Sequence, residues 1–255
     1  AKFVDKKSVE VSGARLHFKK AVIATGARAA HPQVKGLAET GYLTNETVFT
    51  LTQRPKRLAV IGGGPIGCEL AQAFQRLGCE VTLIHKNDRL LDREDIDAVE
   101  IVQTNLLREG VKLLLSTKLE RVERTESGKI IHYQKDGENK NIVVDEILVG
   151  TGRSPNVEGL NLEVADVTYD QRKGVIVNDY LQTTNPRIYA AGDICSNWKF
   201  THAADAAARI AIKNTLFAPF GLGRSKVSNL VMPWVTFTDP EIAHVGMYAS
   251  DAYAK

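Results

Sequence analysis

Three glycines in the segment RLAVIGGGPIGCELAQAF have the spacing that holds the phosphates of a dinucleotide. Gly62, Gly64 and Gly67 follow an apolar strand pattern and open a helix pattern. In this setting Gly62 permits a tight turn, and Gly64 lets the backbone approach a pyrophosphate. Gly67 lets the helix pack closely against the strand. Free N–H groups and the helix dipole favour an anion there, and Pro65 suits the first helical turn. We predict a cofactor-binding turn that also includes Ile66, with a ligand-free glycine turn as the alternative.

The residues after the next strand pattern, EVTLIH at 80–85, bear on the choice between NAD and NADP. An acid at this strand end binds the ribose 2′-hydroxyl, whereas a cation pairs with a 2′-phosphate. No acid ends this strand, and Lys86 and Arg89 follow it. A charged hydrogen bond contributes about 1.5–3 kcal/mol. We therefore predict NADP as the cofactor; NAD remains the alternative, with Asp88 as the ribose acid and both cations solvated.

A second candidate site combines two other strand ends. The segment TTNPRIYAAGD ends in Gly192 and Asp193, which would place a carboxylate beside a close backbone approach. That arrangement suits the hydroxyls of a ribityl chain. In AVIATGAR, an apolar strand leads to Thr25 and Gly26, where the chain must bend close to a ligand.

The elements that must position these residues form an α/β pattern. Residues 57–85 read as strand, helix and strand with short links, as a parallel sheet requires, and Gly78 closes the helix. A second amphipathic helix is expected over 95–110, followed by the strand VKLLLS. Short strands and turns between 119 and 149 predict an antiparallel meander. The fold class is thus a Rossmann-like parallel sheet with a β-meander.

Outside this region, the pattern of residues 8–25 predicts a hairpin that leads into a buried strand, and 203–216 predicts a helix rich in small residues.

Composition narrows the classes of function. The 255 residues are 44% hydrophobic with a net charge of +3 from dispersed cations, which argues against a nucleic-acid partner. No apolar run approaches the roughly 20 residues that span a bilayer, and the first ten residues lack the core of a signal peptide, so we expect a cytoplasmic protein without a membrane partner. Cys68, Cys79 and Cys195 lie far apart, which predicts reduced thiols and no metal site.

Five motifs in a fixed order carry a family resemblance over essentially the whole chain: IATGAR, GGGPIGCELA, GTGRSPN, TTNPRIYAAGD and MPWVTFTDPEIAHVG. This set resembles the flavoprotein pyridine nucleotide–disulfide oxidoreductases. Within that family REDID, Lys86 and FTDPEIAHVG are most similar to the mercuric reductase branch.

The resemblance implies an FAD domain interrupted by an NAD(P)H domain and followed by an interface domain that makes a homodimer. We expect FAD-domain pieces over 1–52 and 153–225, the NAD(P)H domain over 53–152, and the start of the dimerisation domain over 226–255. The family's FAD glycine motif and its C-x-x-x-x-C redox pair are not among these residues. We therefore expect a truncated chain that also lacks most of the dimerisation domain.

The resemblance also assigns roles to residues near the flavin. Asp193 would bind the ribityl chain, while Thr25 and Gly26 would lie near the isoalloxazine. Gly152, in GTGRSPN, is expected to bind cofactor. Glu69 resembles the family's helix glutamate that pairs near the flavin and is our catalytic candidate; an ordinary exposed helix glutamate is the alternative.

His202 and Ala203, in FTHAADAA, resemble the helix start whose dipole stabilises negative charge on reduced flavin. A helix-capping surface histidine is the alternative for His202.

The implied activity is hydride transfer from NADPH to FAD, then electron transfer to a thiol pair and to a small-molecule or metal-ion acceptor, Hg(II) or a disulfide. Pro65 stands where disulfide-reducing members often carry an aromatic residue, which weakens a glutathione reductase assignment. The alternative is a non-catalytic nucleotide-binding fragment or regulatory module, and we expect these 255 residues alone to be inactive.

Overall fold

A computed structural model of the chain describes residues 1–254. Its strands, in chain order, are β1 Lys2–Asp5, β2 Ser8–Val11, β3 Ala14–His17, β4 Ala21–Ile23, β5 Ala27–Ala29, β6 Arg57–Ile61, β7 Glu80–Ile84, β8 Lys112–Leu114, β9 Lys118–Thr125, β10 Gly128–Lys135, β11 Glu138–Val144, β12 Glu146–Val149, β13 Arg153–Pro155, β14 Tyr169–Asp170, β15 Gly174–Val175, β16 Ile188–Ala190, β17 Trp234–Thr236 and β18 Ile242–His244. Its α-helices are α1 Leu37–Thr40, α2 Pro65–Arg76, α3 Ile96–Arg108, α4 Thr201–Leu216 and α5 Ala249–Tyr253.

The chain divides into two compact units. Unit 1 comprises residues 1–28 and 153–232, and unit 2 comprises residues 29–152 and the chain from 233 onward. These limits differ from the expected cofactor domains, because 29–52 and the final segment belong to the same unit as 53–152. Backbone hydrogen bonds hold the first of these segments: Leu43 N donates to Ile147 O, and Val149 N donates to Leu43 O, both at 2.8 Å.

Unit 2 is built on a four-stranded parallel sheet in the order β12-β6-β7-β8. The two central strands are mostly apolar, and Leu58, Val60 and Leu83 are fully buried, as expected for strands that are covered on both faces. The antiparallel meander β9, β10 and β11 follows, with β10 in the middle. The predicted parallel sheet and the predicted meander are both confirmed.

Helix α2 connects β6 to β7 and presents Cys68 and Ala71 to the core. It begins at Pro65 after an extended Gly64, and it ends before Gly78, which has φ +89° and so accepts the left-handed turn that stops the helix. Helix α3 lies inside the predicted range 95–110 and starts after Asp95. The strand, helix and strand order of residues 57–85 is therefore as predicted.

Unit 1 contains the antiparallel sheet β1-β2-β3 and the parallel pair β4 and β16. The predicted hairpin is present, with Ser12 and Gly13 at positive φ in its turn. The prediction that β4 is buried is wrong for Val22, which is 43% exposed. Within residues 1–254 β4 pairs with β16 alone, so its other edge has no neighbouring strand. Helix α4 starts at Thr201, two residues earlier than predicted.

Within residues 1–254, no helix has the length and apolar character to cross a bilayer.

Candidate nucleotide-binding sites

The turn between β6 and α2 depends on two glycines that cannot carry a side chain. Gly62 has φ +112°, and a Cβ placed on it would lie 2.6 Å from Gly150 O. A Cβ on Gly67 would collide with Gly62 O. The first close approach joins the turn to the end of β12, and the second brings the start of α2 against the turn, so backbone packing alone explains both residue types.

The same turn leaves donors and space for an anion. A Cβ on Gly64 would meet nothing within 4 Å, so the approach to this residue is open. Within residues 1–254 the amides of Gly64, Ile66 and Gly67 donate to no acceptor, and Pro65 has no N–H. These three amides stand in the first turn of a 12-residue helix, where the dipole favours negative charge. The arrangement fits a pyrophosphate.

Gly63 N, by contrast, is already used inside the protein. It donates to His85 Nδ1 at 3.0 Å, and both carboxylate oxygens of Asp92 lie 3.2 Å from His85 Nε2. Because an amide N–H only donates, Nδ1 is the acceptor, and Nε2 carries the proton that Asp92 accepts. His85 and Asp92 are not among the site residues predicted from the sequence. The available signal was a polar side chain directly after an apolar strand.

The loop after β7 carries the residues expected to choose the cofactor. Lys86 is exposed, and its side chain makes no hydrogen bond or ion pair within residues 1–254. Arg89 is half-buried and donates to Asp92 O at 2.9 Å. Asp88 is exposed. The loop is joined to the glycine turn where Leu91 N donates to Gly63 O at 2.8 Å.

Glu69 lies on α2, two residues after the last glycine of the motif, and is half-buried. Its Oε1 accepts a hydrogen bond from Phe237 N at 2.9 Å. Burial raises the pKa of the Glu69 carboxyl, and the Phe237 amide acts in the opposite direction. The alternative of an ordinary exposed helix glutamate is therefore wrong. Its catalytic role stays a prediction.

In unit 1 the structure brings Thr25 and Gly26 against Asn156. Thr25 Oγ1 donates to Asn156 O at 3.0 Å, and Asn156 N donates to Gly26 O at 3.0 Å. Gly26 has φ +67° with open space where a Cβ would be. The chain bends at this glycine as predicted, and its outer side remains accessible.

Asp193 follows β16 and is held by two cations. Its Oδ2 accepts from Arg153 Nε at 3.0 Å, while its main-chain oxygen accepts from Lys199 Nζ at 3.0 Å. Arg153 also donates to Ala27 O at 2.6 Å. Asp193 Oδ1 accepts no hydrogen bond within residues 1–254, which leaves it for a ligand hydroxyl. Arg153 is not among the site residues predicted from the sequence, although its motif GTGRSPN is one of those that carry the resemblance.

Other predicted site residues occupy separate positions. Gly152 belongs to unit 2, where it has φ +117° and its carbonyl accepts from Ala30 N at 2.9 Å. His202 is exposed in the first turn of α4 and stacks on Phe200, with ring centroids 5.5 Å apart. The N-cap residue Phe200 makes no side-chain capping bond, and both interpretations of His202 stay predictions. Ala203 is buried beside it.

The three cysteines are free thiols in packed surroundings. Burial raises the pKa of Cys68 and of Cys195 to about 12, and it raises the pKa of Cys79 as well. Thiols in this state are poor nucleophiles, because the thiolate is the reactive form.

Comparison with known proteins agrees with this geometry. Residues 1–208 match the family described as pyridine nucleotide-disulphide oxidoreductase. The chain is 41% identical over 255 residues to a mercuric reductase of Lysinibacillus sphaericus, covering 100% of this chain and 46% of the relative. It is 33% identical over 261 residues to a dihydrolipoyl dehydrogenase of Thermus scotoductus, covering 99% and 54%.

Among solved structures, the Cu(II) complex of the HOCl-induced flavoprotein disulfide reductase RclA from Escherichia coli superposes with a TM-score of 0.90 at 28% identity. That match covers 100% of this chain and 57% of the other. The chain thus spans about half the length of the curated mercuric reductase that it matches. Turn geometry, fold and sequence agree, and the chain belongs to the pyridine nucleotide-disulphide oxidoreductase family.

Proposed function

We propose that the whole protein is an FAD-dependent oxidoreductase that takes hydride from NADPH and passes electrons through a thiol pair to Hg(II) or a disulfide. The observation that carries the nucleotide half of this proposal is the open turn at Gly64, with three unpaired amides at the start of α2. A backbone site of this kind binds phosphate without any side chain.

The residues around the turn fit NADPH better than NADH. The amides of Gly64, Ile66 and Gly67 would hold the pyrophosphate. Lys86 has no partner within residues 1–254, so its ammonium is available to a 2′-phosphate. Arg89 would add its positive charge from the same loop. Because no acid directly follows β7, NADH would lack the usual partner for its ribose.

The residues of unit 1 fit the flavin. The outer side of Gly26 is open, Thr25 lies next to it, and Asp193 Oδ1 is free to accept from ribityl hydroxyls. Ala203 and His202 stand in the first turn of a 16-residue helix, whose dipole would stabilise negative charge. When bound, NADPH would supply the hydride, and FAD would accept it and pass the electrons on. For unit 2, taken by itself, we propose that Glu69 and Gly152 also contact cofactor.

The electron acceptor follows from the relatives rather than from residues in this chain. The most similar sequences reported above include a mercuric reductase, and the structural match is a disulfide reductase. We favour Hg(II), because REDID, Lys86 and the FTDPEIAHVG segment resemble that branch. We also propose a homodimer that works in the cytoplasm.

A second candidate function applies to the 255 residues by themselves. Their cysteines are spaced too far apart for a C-x-x-x-x-C pair, and burial keeps the thiols protonated. A stretch with a nucleotide turn and no reactive thiol pair would bind NADPH without turnover.

Colour and nucleotide affinity test the two candidates on different preparations. A yellow whole protein that NADPH bleaches supports the oxidoreductase, and a colourless 255-residue chain that binds NADPH without oxidising it supports the binding module. Isothermal titration with NADPH and NADH in parallel tests the cofactor choice. Equal affinities would refute the proposed preference, and no binding of either would refute the nucleotide site.

A further inference from the structure

The His85 imidazole connects the glycine turn with the loop that carries Lys86. Its ring is 8% exposed and accepts from Gly63 N, and its other nitrogen faces Asp92 seven residues along the chain. The ring also packs on the Gly63 backbone, since a Cβ placed there would lie 2.8 Å from His85 Cγ and 2.7 Å from Leu90 Cδ2. Gly63 is not one of the three motif glycines, but a side chain at this position would require both neighbouring side chains to move.

Both sides of the Gly63 peptide are held. Its N–H donates to His85, and its carbonyl accepts from Leu91 N at 2.8 Å and from Cys68 Sγ at 3.4 Å. With this amide taken, only the amides of the following residues remain for a phosphate. The orientation of the Gly63 peptide is thus set in part by the buried His85 side chain.

We propose that His85 is a positioning residue for NADP(H), as a neutral imidazole with its proton on Nε2. Through Nδ1 it fixes the Gly63 peptide, and through Asp92 it fixes the loop that carries Lys86. Both halves of the site are then arranged before the cofactor arrives, which reduces the ordering cost of binding. This inference rests on the proposed function of the turn.

Two substitutions separate the acceptor from the shape of the ring. His85→Leu removes the acceptor and replaces the imidazole with an apolar side chain of moderate size. In His85→Asn, the side-chain Oδ1 can replace Nδ1 as the acceptor for Gly63 N, but the side chain is too short to reach Asp92. Loss of one buried hydrogen bond corresponds to about a tenfold change in affinity.

The measurement is the affinity of the 255-residue chain for NADP⁺ by isothermal titration. We expect His85→Leu to bind about tenfold more weakly than the unaltered chain, and His85→Asn to recover to within about threefold. The matched control is His132→Leu, because His132 Nε2 also pairs with a carboxylate, Glu123 Oε1 at 2.7 Å, within the β-meander. This control should bind NADP⁺ as the unaltered chain does.

A spectroscopic measurement on the unaltered chain keeps the test independent of folding in the variants. Imidazole ¹⁵N shifts should show His85 with Nδ1 unprotonated and Nε2 protonated, and they should change on addition of NADP⁺ while those of His132 do not. Assignment follows from the signal missing in the His85→Asn spectrum.

The results separate this inference from the proposed function. If the unaltered chain binds no NADP⁺, the proposed function fails and the inference fails with it. If the unaltered chain binds and His85→Leu binds equally well, only the inference is overturned. If His85→Asn is as weak as His85→Leu, the role of the Nδ1 contact to Gly63 is overturned. A proton on Nδ1 in the spectra overturns the whole inference.

Discussion

The turn after β6 and the turn after β16 each contain a glycine at positive φ, Gly62 at +112° and Gly192 at +82°, but their donors and acceptors differ. At the first turn, three backbone amides remain unpaired within residues 1–254. At the second, Asp193 is already bound by Arg153. One site is made by backbone shape and the other by a charged pair. The first should therefore be sensitive to added volume, and the second to lost charge.

The largest effect is expected from Gly67→Ala. The new methyl group would meet the Gly62 carbonyl, which belongs to the backbone and cannot rotate away. We expect the free energy of unfolding to fall by about 3 kcal/mol or more, as measured by urea denaturation.

Gly64→Ala is the matched control for volume in the same turn. A Cβ there meets nothing within 4 Å, so unfolding should change by less than about 1 kcal/mol. Its methyl group would occupy the open approach, and NADPH should bind at least about tenfold more weakly. Unchanged NADPH affinity in a folded Gly64→Ala variant would contradict a phosphate site at this turn.

Asp193→Ala tests the charged pair in the same way. Arg153 and Asp193 are 26% and 15% exposed, so removing the carboxylate leaves a mostly buried guanidinium without its ion partner. We expect the free energy of unfolding to fall by about 1–3 kcal/mol. In any preparation that holds flavin, the ratio of flavin to protein should also fall.

The control is Asp205→Ala on α4, where the pair with Arg209 is 61% and 78% exposed. Exposed pairs contribute little, so this change should cost less than about 1 kcal/mol. Flavin retained in full after Asp193→Ala would remove Asp193 from the site.

The cofactor preference is tested by Lys86→Glu. Reversal of an exposed charge should leave the fold intact, reduce NADPH affinity at least about tenfold, and leave NADH affinity nearly unchanged. The comparison variant is Lys112→Glu, another exposed lysine of unit 2 on β8. Equal losses for NADPH and NADH would show that Lys86 does not bind the 2′-phosphate.

The sequence was sufficient to predict the parts of the fold that follow from local pattern. The order β6, α2, β7 could be predicted because apolar runs, glycine spacing and Gly78 are all adjacent in the chain. Partners that lie far apart could not be predicted in this way. Arg153 meets Asp193 across 40 residues, and Phe237 meets Glu69 across 168.

The partial exposure of β4 shows a further limit. Its apolar composition predicts burial, but burial also depends on which strands lie beside it. Similarly, His85 ends an apolar strand, and only the path of the following loop brings Asp92 to its second nitrogen. Local patterns specify elements, whereas the site's side-chain pairs depend on loop paths.

The smallest effect is expected from Glu69→Gln, which combines the two kinds of interaction. A backbone N–H donates to this carboxylate, yet burial raises its pKa above the ordinary value. A carboxyl with a raised pKa favours the folded state at low pH, and that contribution is lost as the pH rises through the folded-state value. Glutamine keeps the acceptor for Phe237 N and does not titrate. The stability of Glu69→Gln relative to the unaltered chain should therefore increase between about pH 4 and about pH 7 in urea denaturation. The opposite trend would mean that the Phe237 amide outweighs burial, and the fold would then favour the anionic form of Glu69 over the protonated carboxyl.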